Sequence, residues 1–157
     1  ATTRQYLKDN YTANGIEAEM AWRSGPFNVI GGATFTKAKI DGGANDGKKP
    51  RRQADFVYQV TPSFVAGPFE VGASIVGTTK SYAQNDNQVV LPAYVVVNPF
   101  ASYSLSDKLS VSLSVNNLFD KVGYTEAEGQ GNLGTNPLFI ARSINGRTTK
   151  ATLKYTF

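Results

Sequence analysis

Polar and apolar residues alternate most cleanly in the last third of the chain, where Leu109, Val111, Leu113 and Val115 interleave with Ser110, Ser112 and Ser114. Side chains reverse at every residue of a strand, so this stretch predicts a β-strand with one apolar and one polar face. The final residues repeat the scheme, Ala151, Leu153, Tyr155 and Phe157 opposing Lys150, Thr152, Lys154 and Thr156. Near the start, Ile16, Ala18, Met20 and Trp22 oppose Glu17, Glu19, Ala21 and Arg23. Phe27, Val29, Gly31, Ala33 and Phe35 then oppose Asn28, Ile30, Thr34 and Thr36. A third strand sets Phe56, Tyr58, Val60 and Phe64 against Asp55, Gln59, Thr61 and Ser63. A fourth sets Phe69, Val71, Ala73 and Ile75 against Glu70, Ser74 and Thr78. A fifth is expected over 91–103, weakened by Pro92 and Pro99, which cannot donate to a ladder. Seven strands result, with residues 1–12 ambiguous.

The connections alternate in length. Ser24-Gly25-Pro26, Ala66-Gly67-Pro68 and Ser106-Asp107-Lys108 are tight turns, whereas 41–50, 81–88 and 126–144 are long polar loops. Short turns at one end and long loops at the other characterise an outer-membrane barrel, and a soluble sandwich would show Greek-key connections instead. Glu17, Glu19 and Arg23 opposite an Ile/Met/Trp face suit a wet lumen better than a dry core. The pattern predicts an all-β, antiparallel up-and-down meander of about seven or eight transmembrane strands. With the short turns periplasmic, the last strand descends and carries Phe157 to that end.

Hydropathy does not conflict with this reading. The longest apolar run, Val89 to Val97, contains Pro92 and falls short of the roughly 20 residues a spanning helix needs. A barrel strand needs only about 9–11 residues, apolar at alternate positions, which fits a mean hydropathy of −0.27. The 157 residues include 15 Gly, eight Tyr and nine Phe, a β-favouring mixture. There is no Cys and no His, so disulfides, the usual zinc ligand and the usual general base are absent. No enzyme activity and no cofactor are expected. The chain opens on Ala1-Thr-Thr-Arg, which reads as the interior of something longer or as the product of leader removal.

Other motifs reduce to simpler readings. Gly129-Gln-Gly-Asn-Leu-Gly134 has dinucleotide spacing but is followed by Asn136-Pro137 and no helical period, so it reads as loop. Lys48-Lys-Pro-Arg-Arg52 reads as a solvated surface, open to contact with lipopolysaccharide phosphates, rather than a nucleic-acid patch. Asp41, Asn45 and Asp46 miss the calcium-loop spacing. Glu17, Glu19 and Glu70 lie on polar faces where hydration explains them. Among aromatic residues, Tyr82, Tyr124 and Phe139 are candidates for stacking on a ligand, while Tyr94 is expected in an interfacial girdle.

Leu113-Ser-Val-Asn-Asn-Leu-Phe-Asp-Lys121, followed by Val-Gly-Tyr-Thr, resembles the signature preceding the final strand of TonB-dependent outer-membrane receptors. Gly146 to Phe157 resembles their last strand, and Asn14 to Trp22 an earlier one. The resemblance implies that 1–157 is the C-terminal part of a 22-stranded outer-membrane barrel, without its plug domain. It implies a nutrient-uptake receptor, for instance for a ferric siderophore, energised by TonB. The implied partners are outer-membrane lipid and lipopolysaccharide, the rest of the barrel and plug, TonB acting through the plug, and the barrel-assembly machinery, but no nucleic acid. Tyr155 and Phe157 would form the assembly signal, and Asn116, Asn117, Leu118, Phe119 and Asp120 a structural motif capping bent backbone. A small self-contained barrel of about eight strands, adhesive or structural, and a soluble β-sandwich binding module are the competing readings. The odd strand count requires either an eighth strand from residues 1–12 or strands before Ala1.

Overall fold

Two turns of identical build fix the ends of two hairpins. Gly25 and Gly67 adopt φ of 54° and 55°, and each is followed by a proline. Glycine reaches this left-handed backbone without a Cβ penalty, and proline supplies the next φ, giving two-residue connections that match strand twist. The third tight turn, Asp107-Lys108, is supported by the Lys108 amide donating to the Ser106 hydroxyl at 3.3 Å.

The structure, a computed structural model, describes residues 10–129 and 139–157. Its strands are β1 (Asn10–Ser24), β2 (Phe27–Asp41), β3 (Phe56–Ala66), β4 (Phe69–Thr78), β5 (Ser81–Tyr82), β6 (Val90–Leu91), β7 (Tyr94–Ser106), β8 (Leu109–Asn116), β9 (Tyr124–Gly129), β10 (Phe139–Ser143) and β11 (Thr148–Tyr155). Seven of them form one antiparallel sheet in the order β1-β2-β3-β4-β7-β8-β11. That is the expected meander. β5 with β6, and β9 with β10, make two small hairpins inside the long connections.

Register carries each strand's alternation across the whole sheet. Ile16 faces Phe35, which faces Phe56, and Val60 faces Ile75, which faces Val97. Tyr103 faces Val111, which faces Leu153. Directly paired residues share a face, so the apolar positions merge into one surface seven strands wide. From the short turns up to Phe35 and Phe56 no charged residue occupies that surface; beyond Phe35, β2 places Lys37, Lys39 and Asp41 on it. Glu17, Glu19, Arg23, Glu70, Lys150 and Lys154 all lie on the opposite face, with the Ser110-Ser112-Ser114 row. No second sheet packs against the apolar surface among the described residues, so Ile16 and Leu153 are 73% and 71% exposed. A soluble sandwich would have buried them.

Aromatic residues mark both margins of the apolar surface. Trp22, Phe27, Phe64, Phe69, Tyr103 and Tyr155 lie toward the short turns, with Phe27 and Phe64 ring centroids 5.1 Å apart. Phe35, Phe56 and Tyr58 lie toward the long loops. From Phe27 to Phe35 is about 27 Å along the strand. At a tilt of about 40° the band is roughly 21 Å tall, close to that of an outer-membrane barrel.

The structure also departs from the sequence reading. The stretch 126–144, expected as loop, contributes the β9–β10 hairpin, because its alternation is one of charge rather than of apolar residues. Residues 10–12 belong to β1; residues 1–9, where an eighth strand was considered, and 130–138, with most of the glycine motif, lie outside the described residues. Pro99 sits inside β7 opposite Ala73, where the β7–β8 ladder starts only at Phe100. Pro62 sits inside β3, and there the ladder to β4 skips residues 61 and 62. In both cases the sheet tolerates the missing N–H by leaving a gap beside it.

Spin labels at Ile16, Met20, Trp22, Val111, Leu113, Leu153 and Tyr155 are expected to be reached by a lipid-soluble quencher. Labels at Glu17, Glu19, Arg23, Lys150 and Lys154 are expected to be reached by a water-soluble one. A mixed pattern would rule out the two-faced wall.

Candidate functional site

The three long connections gather at one end of the sheet and are stitched together by side chains. In the first, residues 42–55, Lys49 exchanges two hydrogen bonds with the Asn87 side chain of the second, its N–H donating to Oδ1 at 2.9 Å and its carbonyl accepting from Nδ2 at 2.8 Å. The Arg51 N–H donates to Asn85 Oδ1 at 2.8 Å, and the Arg52 N–H to the Tyr82 carbonyl at 2.6 Å. Arg52 then reaches the third connection. Its guanidinium pairs with Glu126 and with Glu128, each at 2.7 Å, and Arg142 pairs with Glu126 at 3.0 Å.

Partly exposed pairs of this kind contribute about 0.2–1 kcal/mol each, so the network's effect is to position the β9–β10 hairpin rather than to stabilise the wall. Arg52 is held at φ 62°, a left-handed conformation that its backbone and side-chain bonds together maintain. Beneath the hairpins, Ala83, Leu91 and Ala127 are buried with Val89 against them, a small core that ties β5, β6 and β9 together. The run 48–52 is thus partly structural. The sequence reading missed Arg52 because its partner Glu128 lies 76 residues away and no local spacing announces it.

Below this cap a recess of about 370 Å³ opens on the polar face, lined among others by Arg52, Thr78, Pro92, Tyr94 and Tyr124. Tyr94 does not join a girdle. It pairs with Thr78 on the polar face, and a Cβ at Gly123 would lie 2.7 Å from its ring, so glycine is what lets the ring lie there. Of the three stacking candidates only Tyr124 lines the recess. Tyr82 lies in β5 opposite Val90, and Phe139 pairs with Gly129 in the β9–β10 hairpin. Asp41 is bonded to Lys39 and Thr12, Asp46 accepts from the Gly42 amide, and Asn45 accepts from Lys48. No cluster of three potential metal ligands occurs among the described residues. Glu17 and Glu19 lie on β1, three strands from Glu70 on β4.

The Asn116–Asp120 segment forms a knot where β8 ends. Asn117, 3% exposed, has φ 51° and Asp120 φ 50°. Asn117 Nδ2 donates to the carbonyls of Lys121 and Asn145, both at 2.9 Å, while Oδ1 accepts from the Lys121 N–H at 2.8 Å. Its own N–H donates to Asn98 on β7 at 2.8 Å. Asp120 accepts from the Arg147 N–H at 2.8 Å, and Asn116 donates to Thr148. The Leu118 N–H extends the β7 ladder to Val97, and Phe119 is exposed. The end of β8, the side of β7 and the entry to β11 therefore meet on one buried amide.

At the opposite end, the Thr156 N–H donates to the Lys108 carbonyl at 2.8 Å, and Phe157 projects fully exposed beside Tyr155, ring centroids 5.2 Å apart. β1 and β11 are both edges of the described sheet.

Residues 1–118 match the family model described as TonB dependent receptor-like, beta-barrel. Among solved structures, the chain is similar to the ferric yersiniabactin uptake receptor FyuA of Yersinia pestis, at 18% identity and a TM-score of 0.81, over 95% of this chain and 24% of that one. It is similar to the ferric-catecholate import receptor Fiu of E. coli K12 in its closed form, at 22% identity and a TM-score of 0.78, over 95% and 21%. Pseudomonas aeruginosa FpvA bound to a heterologous pyoverdine matches at 24% identity and a TM-score of 0.71, over 94% and 20%. The chain thus spans about a fifth to a quarter of the length of these structures. No curated protein sequence matches it significantly.

Replacing Asn117 by Ala removes three side-chain bonds from a buried site and places a Cβ residue without local polar support at positive φ. The expected loss is about 2–4 kcal/mol, read as a lower denaturant midpoint in detergent at unchanged slope. Asn117→Gly, which relieves the backbone but not the bonds, is expected to recover about 1 kcal/mol of that.

Proposed function

From its membership of the TonB-dependent receptor β-barrel family, to which the chain belongs, we propose that it forms part of the wall of an outer-membrane receptor that imports a scarce nutrient such as a ferric siderophore. The observation that carries this reading is the seven-strand wall with one face apolar and uncharged between its aromatic margins, one charged face, and its long connections tied into a cap at one end. The relatives in shape are, by name, siderophore or ferric-chelate receptors, which supports iron chelates as the substrate class.

In this reading the apolar face meets lipid and the polar face lines the lumen of a barrel of about 22 strands. Unpaired backbone groups in hydrocarbon cost several kcal/mol each, so the edges of β1 and β11 pair with the remaining strands of the barrel. The open sheet speaks against a self-contained small barrel. The recess at Tyr94 and Tyr124 faces the lumen just below the cap, where Tyr124 would meet a ligand or the plug. The chain has no role as an enzyme here; transport would draw its energy from TonB through the plug.

Uptake tests this directly. Cells making the full-length receptor are expected to accumulate radio-iron from ferric siderophores of the right chemical class under iron limitation, and to lose that accumulation when TonB is absent. Accumulation independent of TonB would overturn the transport reading.

Phe157 separates assembly from packing. In the wall it adds one exposed ring beside Tyr155, worth at most about 1.5–3 kcal/mol even if fully covered. As part of a signal read by the barrel-assembly machinery, it would matter before folding rather than after. Deleting Phe157 from the full-length receptor is therefore expected to lower the amount assembled sharply, while assembled protein keeps nearly the same unfolding midpoint. Normal assembly with a lowered midpoint would leave Phe157 as packing alone.

A further inference from the structure

Asn-Gly occurs twice in the chain, at Asn14-Gly15 and at Asn145-Gly146. The pair is chemically labile, because glycine leaves its nitrogen unshielded for attack on the asparagine side-chain amide. The two sites stand in opposite surroundings. Asn14 and Gly15 lie inside β1, paired with Lys37 and Thr36, and a Cβ at Gly15 would lie 2.5 Å from the Phe35 carbonyl oxygen. Ring closure there needs the Asn14 ψ to leave the extended range, so the ladder must open first. Asn145 and Gly146 lie between β10 and β11, outside any strand, and both are exposed. Among the described residues the Asn145 side chain and the Gly146 N–H have no hydrogen-bond partner.

The knot acts on the same peptide. Asn117 Nδ2 donates at 2.9 Å to the Asn145 carbonyl, the oxygen of the peptide whose nitrogen belongs to Gly146. When that nitrogen loses its proton the charge spreads onto this oxygen, so the donor stabilises the nucleophile where its charge develops. On either side the chain is held, the Ile144 N–H by the Gly123 carbonyl at 2.9 Å and the Arg147 N–H by Asp120 at 2.8 Å. The link between them is short, exposed and tethered at both ends.

We propose that Asn145 is a self-modifying site, converting to aspartate and isoaspartate in the folded protein and undoing the Asn117 knot as it does so. Hydroxide takes the Gly146 amide proton, and the nitrogen attacks Asn145 Cγ to form a succinimide ring. The Cγ–Nδ2 bond breaks and ammonia leaves, its third proton drawn from water, which restores the hydroxide. Water then opens the ring. Addition at Cγ breaks the new C–N bond and gives aspartate. Addition at the main-chain carbonyl breaks the original C–N bond, gives isoaspartate and routes the chain through Cγ. Either product adds a carboxylate beside Asp120, whose Oδ1 lies 3.2 Å from where a Gly146 Cβ would stand. Isoaspartate also moves the carbonyl that Asn117 holds out of the main chain, just before the β8–β11 ladder begins at Thr148.

The test follows the full-length receptor, folded in detergent at mildly alkaline pH, by tryptic mapping over time. The peptide Ser143–Arg147 reports Asn145, and Asp9–Arg23 reports Asn14. Conversion at Asn145 is expected to run about tenfold faster than at Asn14, whereas in urea-unfolded receptor the two rates are expected to agree within about threefold. An isoaspartyl methyltransferase is expected to label Ser143–Arg147 as conversion proceeds, and the denaturant midpoint to fall in step. Asn145→Gln keeps the carbonyl that Asn117 holds but closes a ring far more slowly, and is expected to hold its midpoint through the same incubation. Conversion at Asn145 no faster than at Asn14 in the folded receptor overturns the proposal. So does a preference for Asn145 that persists undiminished in urea, which would assign it to local sequence. A midpoint that stays constant while Asn145 converts, or that falls equally in Asn145→Gln, overturns the link to the knot.

Discussion

The constraint on which this chain turns is that a backbone polar group inside hydrocarbon has no water to fall back on. Every peptide in the wall must find its partner across a ladder, and side chains must then sort by face, since the ladder occupies the plane between them. Period-2 alternation and strict meander topology are two consequences of that one requirement. Its force is visible where it is strained: beside Pro62 and Pro99 the ladder opens locally instead of the strand breaking. Gly77 shows the same economy on the apolar face, where a Cβ would lie 2.3 Å from the Tyr58 ring, so the aromatic covers the position that the glycine leaves bare.

At the long-loop end the constraint is lifted, and a different chemistry takes over. The non-glycine residues with left-handed backbone among those described, Arg52, Asn87, Asn117 and Asp120, all lie there. Each belongs to a segment tied by polar bonds to a distant one, Arg52 to Tyr82, Asn87 to Lys49, Asn117 to Asn145 and Asp120 to Arg147. Such conformations cost on the order of 1–3 kcal/mol and persist only where surroundings over-determine them. Their concentration in the cap means that the loops are shaped by specific contacts rather than left to hydration.

The division between wall and cap also explains what the sequence disclosed. The wall was legible because one property, alternation, is local and repeats in every strand; Leu109 to Val115 and Lys150 to Phe157 declare their faces without reference to anything distant. The cap was not, because its determinants are single polar residues whose partners lie far along the chain. Nothing around Arg52 points to Glu126, and the β9 segment Tyr-Thr-Glu-Ala-Glu-Gly alternates in charge, which reads as loop until Arg52 and Arg142 are placed beside it. Tyr94 was misplaced for a related reason. An aromatic near a strand end fits a girdle, and only the pairing with Thr78 and the space at Gly123 put it on the polar face. Asn117 stands between these cases: its place in a recognisable motif drew attention to it, but the three segments it joins emerge only in three dimensions.

β2 offers an internal measure of where the hydrocarbon ends. From Phe27 to Phe35 its outward residues are apolar or glycine, and its polar residues, Asn28 and Thr34, point inward beside Ile30 and Gly32. Beyond Phe35 the outward positions become Lys37, Lys39 and Asp41, whereas the inward ones become Ala38 and Ile40, the latter 1% exposed. The pairing with β1 runs without a slip from Asn28 to Ile40, so the strand has not rotated. A one-residue bulge would exchange the faces, and there is none. The change therefore lies in the surroundings: on the proposed reading lipid gives way outside to an aqueous, charged layer, and on the inner face the packed first loop takes over, whose Gly47 and Lys48 bond to the Ile40 backbone. Both transitions fall at the same height, between Phe35 and Lys37, which is where Phe56 and Tyr58 independently set the upper aromatic margin. On the proposed reading, a strand that keeps its register while its two faces change character marks the boundary of the membrane in its own sequence.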